Sequence, residues 1–315
     1  MAKYDLVVIG AGPAGMTAAI YGHRGNLNVL LVDRLSAGGA VLNTNTVENY
    51  PGVGTINGAE LGIKMFEQCM EMGIEFDYAT VEKLEVLEDN CKRIYFKEEG
   101  KEPVDAHTVI IACGTSPRML HVPGEYQFAG HGISWCAICD GAKYKEMDVV
   151  VIGGGNSAID EGTYLASICN HVTVVTDFDL TGDPQSAEYF RTRPNVTVHA
   201  YKAVKEFVAE NDKLAGVKFA DKETGENEQV VKCDGVFEYI GATPNTKFTE
   251  GLGITESHGY LEVDARMHTA LPGVYGAGDS NSKFLRQIVT ATSDGAIAAQ
   301  EALAYIKNLK KAEMK

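Results

Sequence analysis

Along this chain the clearest pattern is an apolar run cut short by glycine, and it occurs twice. YDLVVIGAGPAG (4–15) and MDVVVIGGGNSA (147–158) each put a β-branched run before a glycine-rich turn. Small residues follow at helical spacing, and a second apolar run then ends on an acid, at Asp33 in one case and Asp177 in the other. This pattern predicts two strand–turn–helix–strand units on one plan. Between them lie a Gly-, Asn- and Thr-rich loop (36–57) and an amphipathic helix near 58–72 with Leu61, Met65, Phe66 and Met72 on one face. Alternating strands are predicted near 79–87 and 91–97, and a buried strand at VIIACG (109–114). After the second unit, strands near 195–200, 204–209 and 213–220 read as a small antiparallel insert that GVFEYIG (235–241) closes. GVYGAGDS (273–280) and a long helix from about 286 to 308 complete the pattern.

The two turns carry chemistry. The first reads Gly10-x-Gly12-x-x-Gly15, with Asp33 following 21 residues after Gly12. The second reads Gly153-x-Gly155-x-x-Ala158, with Asp177 following 22 residues after Gly155. Glycine permits the tight turn and lets backbone amides approach a pyrophosphate, which sits on the positive end of the next helix. The acid closing the second strand is placed to accept hydrogen bonds from a ribose diol. One such fingerprint arises by chance; two, each in the same strand–turn–helix–strand–acid setting, predict two dinucleotide sites. Matching breakers, GTSP (114–117) and GATP (241–244), flank the second unit. The fold class predicted is therefore α/β: two Rossmann-like (three-layer ββα) dinucleotide-binding domains, the second inserted into the first. The boundaries fall at 1–115 and 246–315 for the first domain and 116–245 for the second, with the two connections as a hinge.

Composition narrows the partners. With 315 residues the chain has room for about two domains. Lys+Arg 28 against Asp+Glu 43 gives a net charge of −15, which repels nucleic acid and anionic membrane surfaces. No apolar stretch approaches the roughly 20 residues that span a bilayer, and the N-terminal run reads as a strand entering a turn rather than a signal peptide. Of seven cysteines only Cys136 and Cys139, in WCAICDG (135–141), are closely spaced. Such a pair can hold a metal, cross-link or cycle as a redox couple. A structural zinc site needs a second pair or nearby histidines, so no metal is expected. A disulfide framework does not suit so long and cysteine-poor a chain. The other five cysteines read as small buried hydrophobes. These features predict a soluble, cytoplasmic protein with one poised dithiol.

Seven stretches in order resemble the low-molecular-weight thioredoxin reductase family: GAGPAG (10–15), GGAVLNTNTVENYPG (38–52), VIIACGTSPR (109–118), WCAICDG (135–141), VIGGGNSA (151–158), IGATPNT (240–246) and GAGDSNSKFLRQIVTATSDG (276–295). The resemblance covers the chain from end to end and implies a homodimer carrying FAD. Gly10, Gly12, Pro13, Ala14 and Gly15 would lie along the FAD pyrophosphate and Asp33 at its adenosine ribose. Gly39, Ala40, Asn49, Ala112, Gly114, Gly278, Asp279, Arg286, Gln287 and Ile288 would line the rest of the flavin site. Gly153, Gly155, Asn156, Ser157, Asp160, Asp177 and Gly241 would hold a nicotinamide nucleotide. Cys139 would face the flavin, Cys136 would attack the disulfide of thioredoxin or a thioredoxin-like protein, and Asp140 would protonate the leaving thiolate. A thiolate at a helix start is stabilised, and Gly141 with Ala142 and Lys143 is placed to open such a helix. Asp140 also suits a helix cap.

One departure bears on the electron donor. Members that use NADPH carry a basic cluster after the second strand of the nicotinamide domain, whereas VTVVTDFDLTGDP (172–184) has no Lys or Arg and three acids, Asp177, Asp179 and Asp183. A 2′-phosphate ~4 Å from one such acid, at an effective dielectric of about 20, meets about 4 kcal/mol of repulsion. Arg191 and Arg193 read as surface charges. NADH is therefore the expected donor and NADPH is disfavoured. A ferredoxin- or deazaflavin-dependent reductase, an FAD-dependent dithiol oxidase and a non-enzymatic flavin-binding redox sensor stand as alternatives.

Overall fold

The structure is a computed structural model and describes residues 3–35, 37–44 and 46–313. Ser36, in the predicted 36–57 loop, and Asn45, in the 38–52 stretch, lie outside them. The chain forms two compact units, Met1–Ser116 with Thr243–Lys315, and Pro117–Ala242. Among the described residues no helix is long and apolar enough to cross a membrane.

In the first unit the apolar runs become the middle of a seven-stranded sheet. Tyr4–Ile9 lies parallel between Val29–Asp33 and Val104–Ile111, and Glu75–Tyr78 extends the sheet beyond Val29–Asp33. The far edge of Val104–Ile111 is shared. Its first half pairs antiparallel with Lys92–Phe96, which pairs in turn with Val81–Val86, and its last residues pair parallel with Val274–Gly276. One face of the sheet, with Leu6, Val8, Leu31 and Ile110, packs on the helices Pro13–Arg24 and Ile288–Glu313. The other face, with Val7, Ile9, Val32 and Val109, packs on Leu84, Ile94, Phe96, Ile254 and Leu261. Helices on one face and the antiparallel strands of the same sheet on the other thus sandwich its parallel strands in three layers. The helix Gly58–Glu71 starts at Asn57, whose Oδ1 accepts from the Ala59 amide at 2.9 Å, and buries Leu61 and Cys69.

The second unit repeats the plan with a five-stranded parallel sheet. Its order is Val196–Ala200, His171–Thr176, Asp148–Ile152, Gly235–Glu238 and Ile133–Ser134. Here the structure corrects two readings of the pattern. Val196–Ala200 is not part of the antiparallel insert: it follows the helix Pro184–Arg191 and returns as a parallel strand beside His171–Thr176. Gly235–Glu238, all four residues buried, runs parallel inside the same sheet rather than closing the insert. The antiparallel meander is Lys202–Glu210, Lys213–Asp221 and Gln229–Lys232. Both differences have one cause. A run of strand-forming residues shows that a strand is present, while its partner is set by where the preceding crossover returns it.

Candidate functional site

In the first unit the glycine turn has the backbone its spacing predicts. Gly10 has φ +108°, and a Cβ there would stand 2.3 Å from the Ala112 carbonyl oxygen. Gly15 is closer still, its absent Cβ lying 1.7 Å from the Gly10 oxygen, so strand end and helix start touch backbone to backbone. Gly12 sits at the N-cap of Pro13–Arg24, with no capping side chain and no acid in the first turn. That helix start is left to an anion. Gly39 brings its backbone alongside Gly12: a Cβ on Gly39 would lie 3.1 Å from the Gly12 Cα. Neighbouring Ala40 is exposed. Asp33 ends its strand and ties the turn down, Oδ2 accepting from the Ala11 amide at 2.6 Å and Oδ1 from Leu35 at 2.8 Å.

The C-terminal segment of the same unit returns to this turn. Gly278 has φ +76°, and its absent Cβ would lie 2.8 Å from that of Ala14. The Gly278 amide donates to Asp294 Oδ2 at 3.0 Å. Asp279 Oδ1 is buried without a hydrogen-bond partner, and burial pushes its carboxyl above the usual range. A buried orphan carboxylate oxygen asks for a donor, and a ribityl hydroxyl of FAD is such a donor. Arg286 is held by the Asp279 and Asn281 carbonyls and stacks 4.4 Å over the Tyr260 ring. Asn49 Nδ2 donates to Gln287 Oε1 at 3.0 Å across 238 residues of sequence, and Ile288 opens the final helix. Gly114 has φ +60°, with open space where a Cβ would stand. The set fits FAD: an uncapped helix start, glycines where no Cβ is tolerated, and an unsatisfied carboxylate.

The second glycine turn copies the first. Gly153 has φ +119°, and its absent Cβ would lie 2.4 Å from the Tyr239 oxygen. Gly155 is the N-cap of Asn156–Ile168, again with neither capping side chain nor early acid, and its Cβ position is open space. Asn156 Oδ1 accepts from the Asp183 amide at 2.7 Å, while Ser157 and Asp160 are exposed. Gly241, φ +101°, accepts from the Arg118 amide at 3.0 Å. Asp177 lies just past its strand, its side chain 54 % exposed. Here the structure adds what the local sequence does not hold. Lys222, from the meander, pairs with Asp177 Oδ2 at 3.3 Å and sits 3.5 Å over the Phe178 ring. Arg191 pairs with Asp179, whereas Arg193 bonds Tyr189 and the Ala166 carbonyl. The acidic edge therefore carries two cations. No signal near 172–184 could have located Lys222.

Cys136 and Cys139 are joined as a disulfide. The helix here is Ala137–Asp140 with Cys136 as its N-cap, and Gly141–Tyr144 continues as a 3-10 turn rather than opening the helix. Cys136 Sγ accepts from the Cys139 amide at 3.1 Å. Asp140 makes no cap bond; its Oδ2 accepts from Ser134 Oγ at 2.7 Å and its Oδ1 from Lys143 Nζ at 2.5 Å. Three acids that the local motif does not reveal surround this segment. Glu161 Oε2 accepts from the Ala137 amide at 2.6 Å and from the Tyr239 hydroxyl at 2.7 Å. Glu238 Oε2 accepts from Trp135 Nε1 at 3.0 Å, and burial, then the nearby Glu125 charge, push its carboxyl up to about 8. Glu125 itself is buried and accepts from the Leu120 and His121 amides. The remaining cysteines are not poised: burial pushes the Cys69 and Cys233 thiols up to about 12 and Cys169 to about 11.

Comparison with known proteins supplies the context. The pyridine nucleotide-disulphide oxidoreductase family profile matches residues 4–295. The thioredoxin reductase of Bacillus subtilis is 45% identical over 97% of this chain and 96% of its own length. That of Listeria innocua is 40% identical over 98% and 96%. Among solved structures, the thioredoxin reductase of Streptococcus pyogenes superposes with a TM-score of 0.90 at 38% identity, covering 97% of this chain and 98% of its own.

Proposed function

The chain belongs to the pyridine nucleotide-disulphide oxidoreductases, in their low-molecular-weight thioredoxin reductase branch, and from that premise we propose a route for its electrons. They pass from NADH through FAD to Cys136–Cys139 and on to thioredoxin or a thioredoxin-like protein. The observation that carries this reading is the Cys136–Cys139 disulfide beside Asp140, in the unit that holds the second uncapped glycine turn. FAD, when bound, supplies a two-electron acceptor for hydride and a donor to a disulfide. The residues supply everything else. Gly10, Gly12 and the start of Pro13–Arg24 would receive its pyrophosphate, and Asp279 would accept from a ribityl hydroxyl. Once the pair is reduced, Cys136 Sγ attacks the partner disulfide and forms a mixed disulfide, and Asp140 gives the leaving thiolate its proton. Cys139 then attacks Cys136 Sγ, re-forming the internal bond and releasing the partner's second thiol.

The donor reading rests on Asp177, which would accept from the free 2′- and 3′-hydroxyls of NADH. Lys222 and Arg191 lower the cost of a 2′-phosphate below the figure for an unpaired acid. The preference for NADH is therefore one of degree. Anaerobic titration of flavin absorbance with NADH, NADPH and reduced ferredoxin in parallel tests it, followed by reduction of thioredoxin disulfide. Bleaching at lower NADH than NADPH concentration is expected. Equal bleaching sinks the role of Asp177, and no bleaching by either nucleotide moves the donor to ferredoxin or a deazaflavin. The same reading carries a cytoplasmic homodimer, which light scattering and cell fractionation check.

A further inference from the structure

A thiolate at a helix start is stabilised by the unpaired amides there. At Cys136 that advantage is shared with a second acid. The Ala137 amide, two covalent bonds from the Cys136 Cα, is committed to Glu161 Oε2 at 2.6 Å and the Tyr239 hydroxyl at 2.9 Å. The Tyr239 hydroxyl in turn donates to the same Glu161 oxygen at 2.7 Å. The Cys139 amide reaches Cys136 Sγ at 3.1 Å. Glu161 comes from the helix Asn156–Ile168 and Tyr239 from the end of Gly235–Glu238, so two separate elements converge on the first peptide of the redox helix.

We propose that Glu161 is a positioning residue that sets the acidity of Cys136. By taking the Ala137 amide and placing a negative charge at that end of the helix, it keeps the Cys136 thiol less acidic than a helix start alone would make it. Reduction of the disulfide by two electrons leaves two sulfurs that take up two protons, so the acidity of Cys136 decides how much thiolate meets the partner. Other ionisable groups face the same segment. Asp140, bonded to Ser134 and paired with Lys143, lies on the redox helix itself, and Lys143 and Tyr144 on the turn after it. Asp160 neighbours Glu161, and Glu238 lies behind Trp135. Among these Glu161 and Tyr239 alone bond the Ala137 amide in the structure. Burial pushes the Glu161 carboxyl up while its donors pull it down, and burial with the Glu161 charge holds the Tyr239 phenol well above its usual range, so it stays a donor.

This inference rests on Cys136 being the attacking thiol of the proposed function, but its test needs neither electron donor nor protein partner. Failure of those assignments therefore leaves the test intact. In the FAD-loaded Cys139→Ser protein, Cys136 is free, and its alkylation by iodoacetamide is followed by mass from pH 6 to 10. Adding Glu161→Gln keeps an acceptor for Ala137 and Tyr239 while removing the charge. The apparent pKa of Cys136 is expected to fall by about one unit, making alkylation about tenfold faster at pH values below both midpoints. Glu161→Asp, which keeps the charge, should stay near the parent profile. Tyr239→Phe removes a donor from the carboxylate and should move the midpoint up. A role in packing alone predicts coincident profiles for Glu161→Gln and its parent, and that result, or a rise with Glu161→Gln, overturns the proposal.

Discussion

Replacing Glu238 by Gln should stabilise the unit that carries the redox pair, and more so as the pH rises. Glu238 is 2 % exposed, its Oε2 bonded to Trp135 Nε1 and its Oε1 without a partner. Its carboxyl is pushed from 4.5 to about 8, first by burial and then by the Glu125 charge. Between those values the folded unit holds a proton that the unfolded chain has released, so stability falls as pH rises through this window. The slope is about 1.4 kcal/mol per pH unit. From pH 6 to 8, above the isoelectric point near 5.0, the wild-type protein should lose about 2.5 kcal/mol from this group. Gln has the shape of the protonated acid and accepts the indole N–H equally well, yet does not titrate. The gap between variant and wild type should therefore widen by about that amount across the two units of pH. Urea unfolding read by tryptophan emission measures it directly, because Trp135 is the single tryptophan and lies in this unit. Parallel pH dependence in the two proteins, or a variant less stable at pH 8, would refute the argument.

Other outcomes follow from the same geometry. Gly15→Ala pushes a Cβ onto the Gly10 carbonyl, 1.7 Å away, which no side-chain adjustment relieves; loss of bound flavin absorbance and a stability cost of about 3 kcal/mol are expected on purification and melting. Lys222→Ala leaves Asp177 unopposed, so KM for NADPH should rise about fivefold while KM for NADH changes little, the pair being partly exposed and worth about 1 kcal/mol. An equal rise for both nucleotides would count against Lys222 lying at the 2′ position. Asp140→Asn should slow thioredoxin reduction by about 10²-fold while hydride uptake from the donor is unchanged, a split that stopped-flow absorbance resolves.

What consecutive residues dictate was legible before any fold was seen. A strand running into a glycine turn and a small-residue helix is a local object, and the two turns share their backbone, with φ +108° at Gly10 and +119° at Gly153. The helix at Gly58–Glu71 and the strands at Val81–Val86 and Lys92–Phe96 follow from periodicity in the same way. Partnerships between distant segments were not legible. The runs at Val196–Ala200 and Gly235–Glu238 show that strands form there, but not that both join the parallel sheet. The acidic stretch 172–184 reads as repelling a phosphate, yet folding brings Lys222 and Arg191 to it. Trp135, beside the cysteines, is bonded to an acid 103 residues away. The sequence by itself determined the turns, the poised dithiol and the kind of chemistry they serve, because each depends on residues within a few positions of one another. Only the tertiary structure decided which acids lie around Cys136 and which cation pairs with Asp177. Those contacts are made where strands and helices far apart in the chain become neighbours, and their electrostatic weight depends on the burial that this neighbourhood creates.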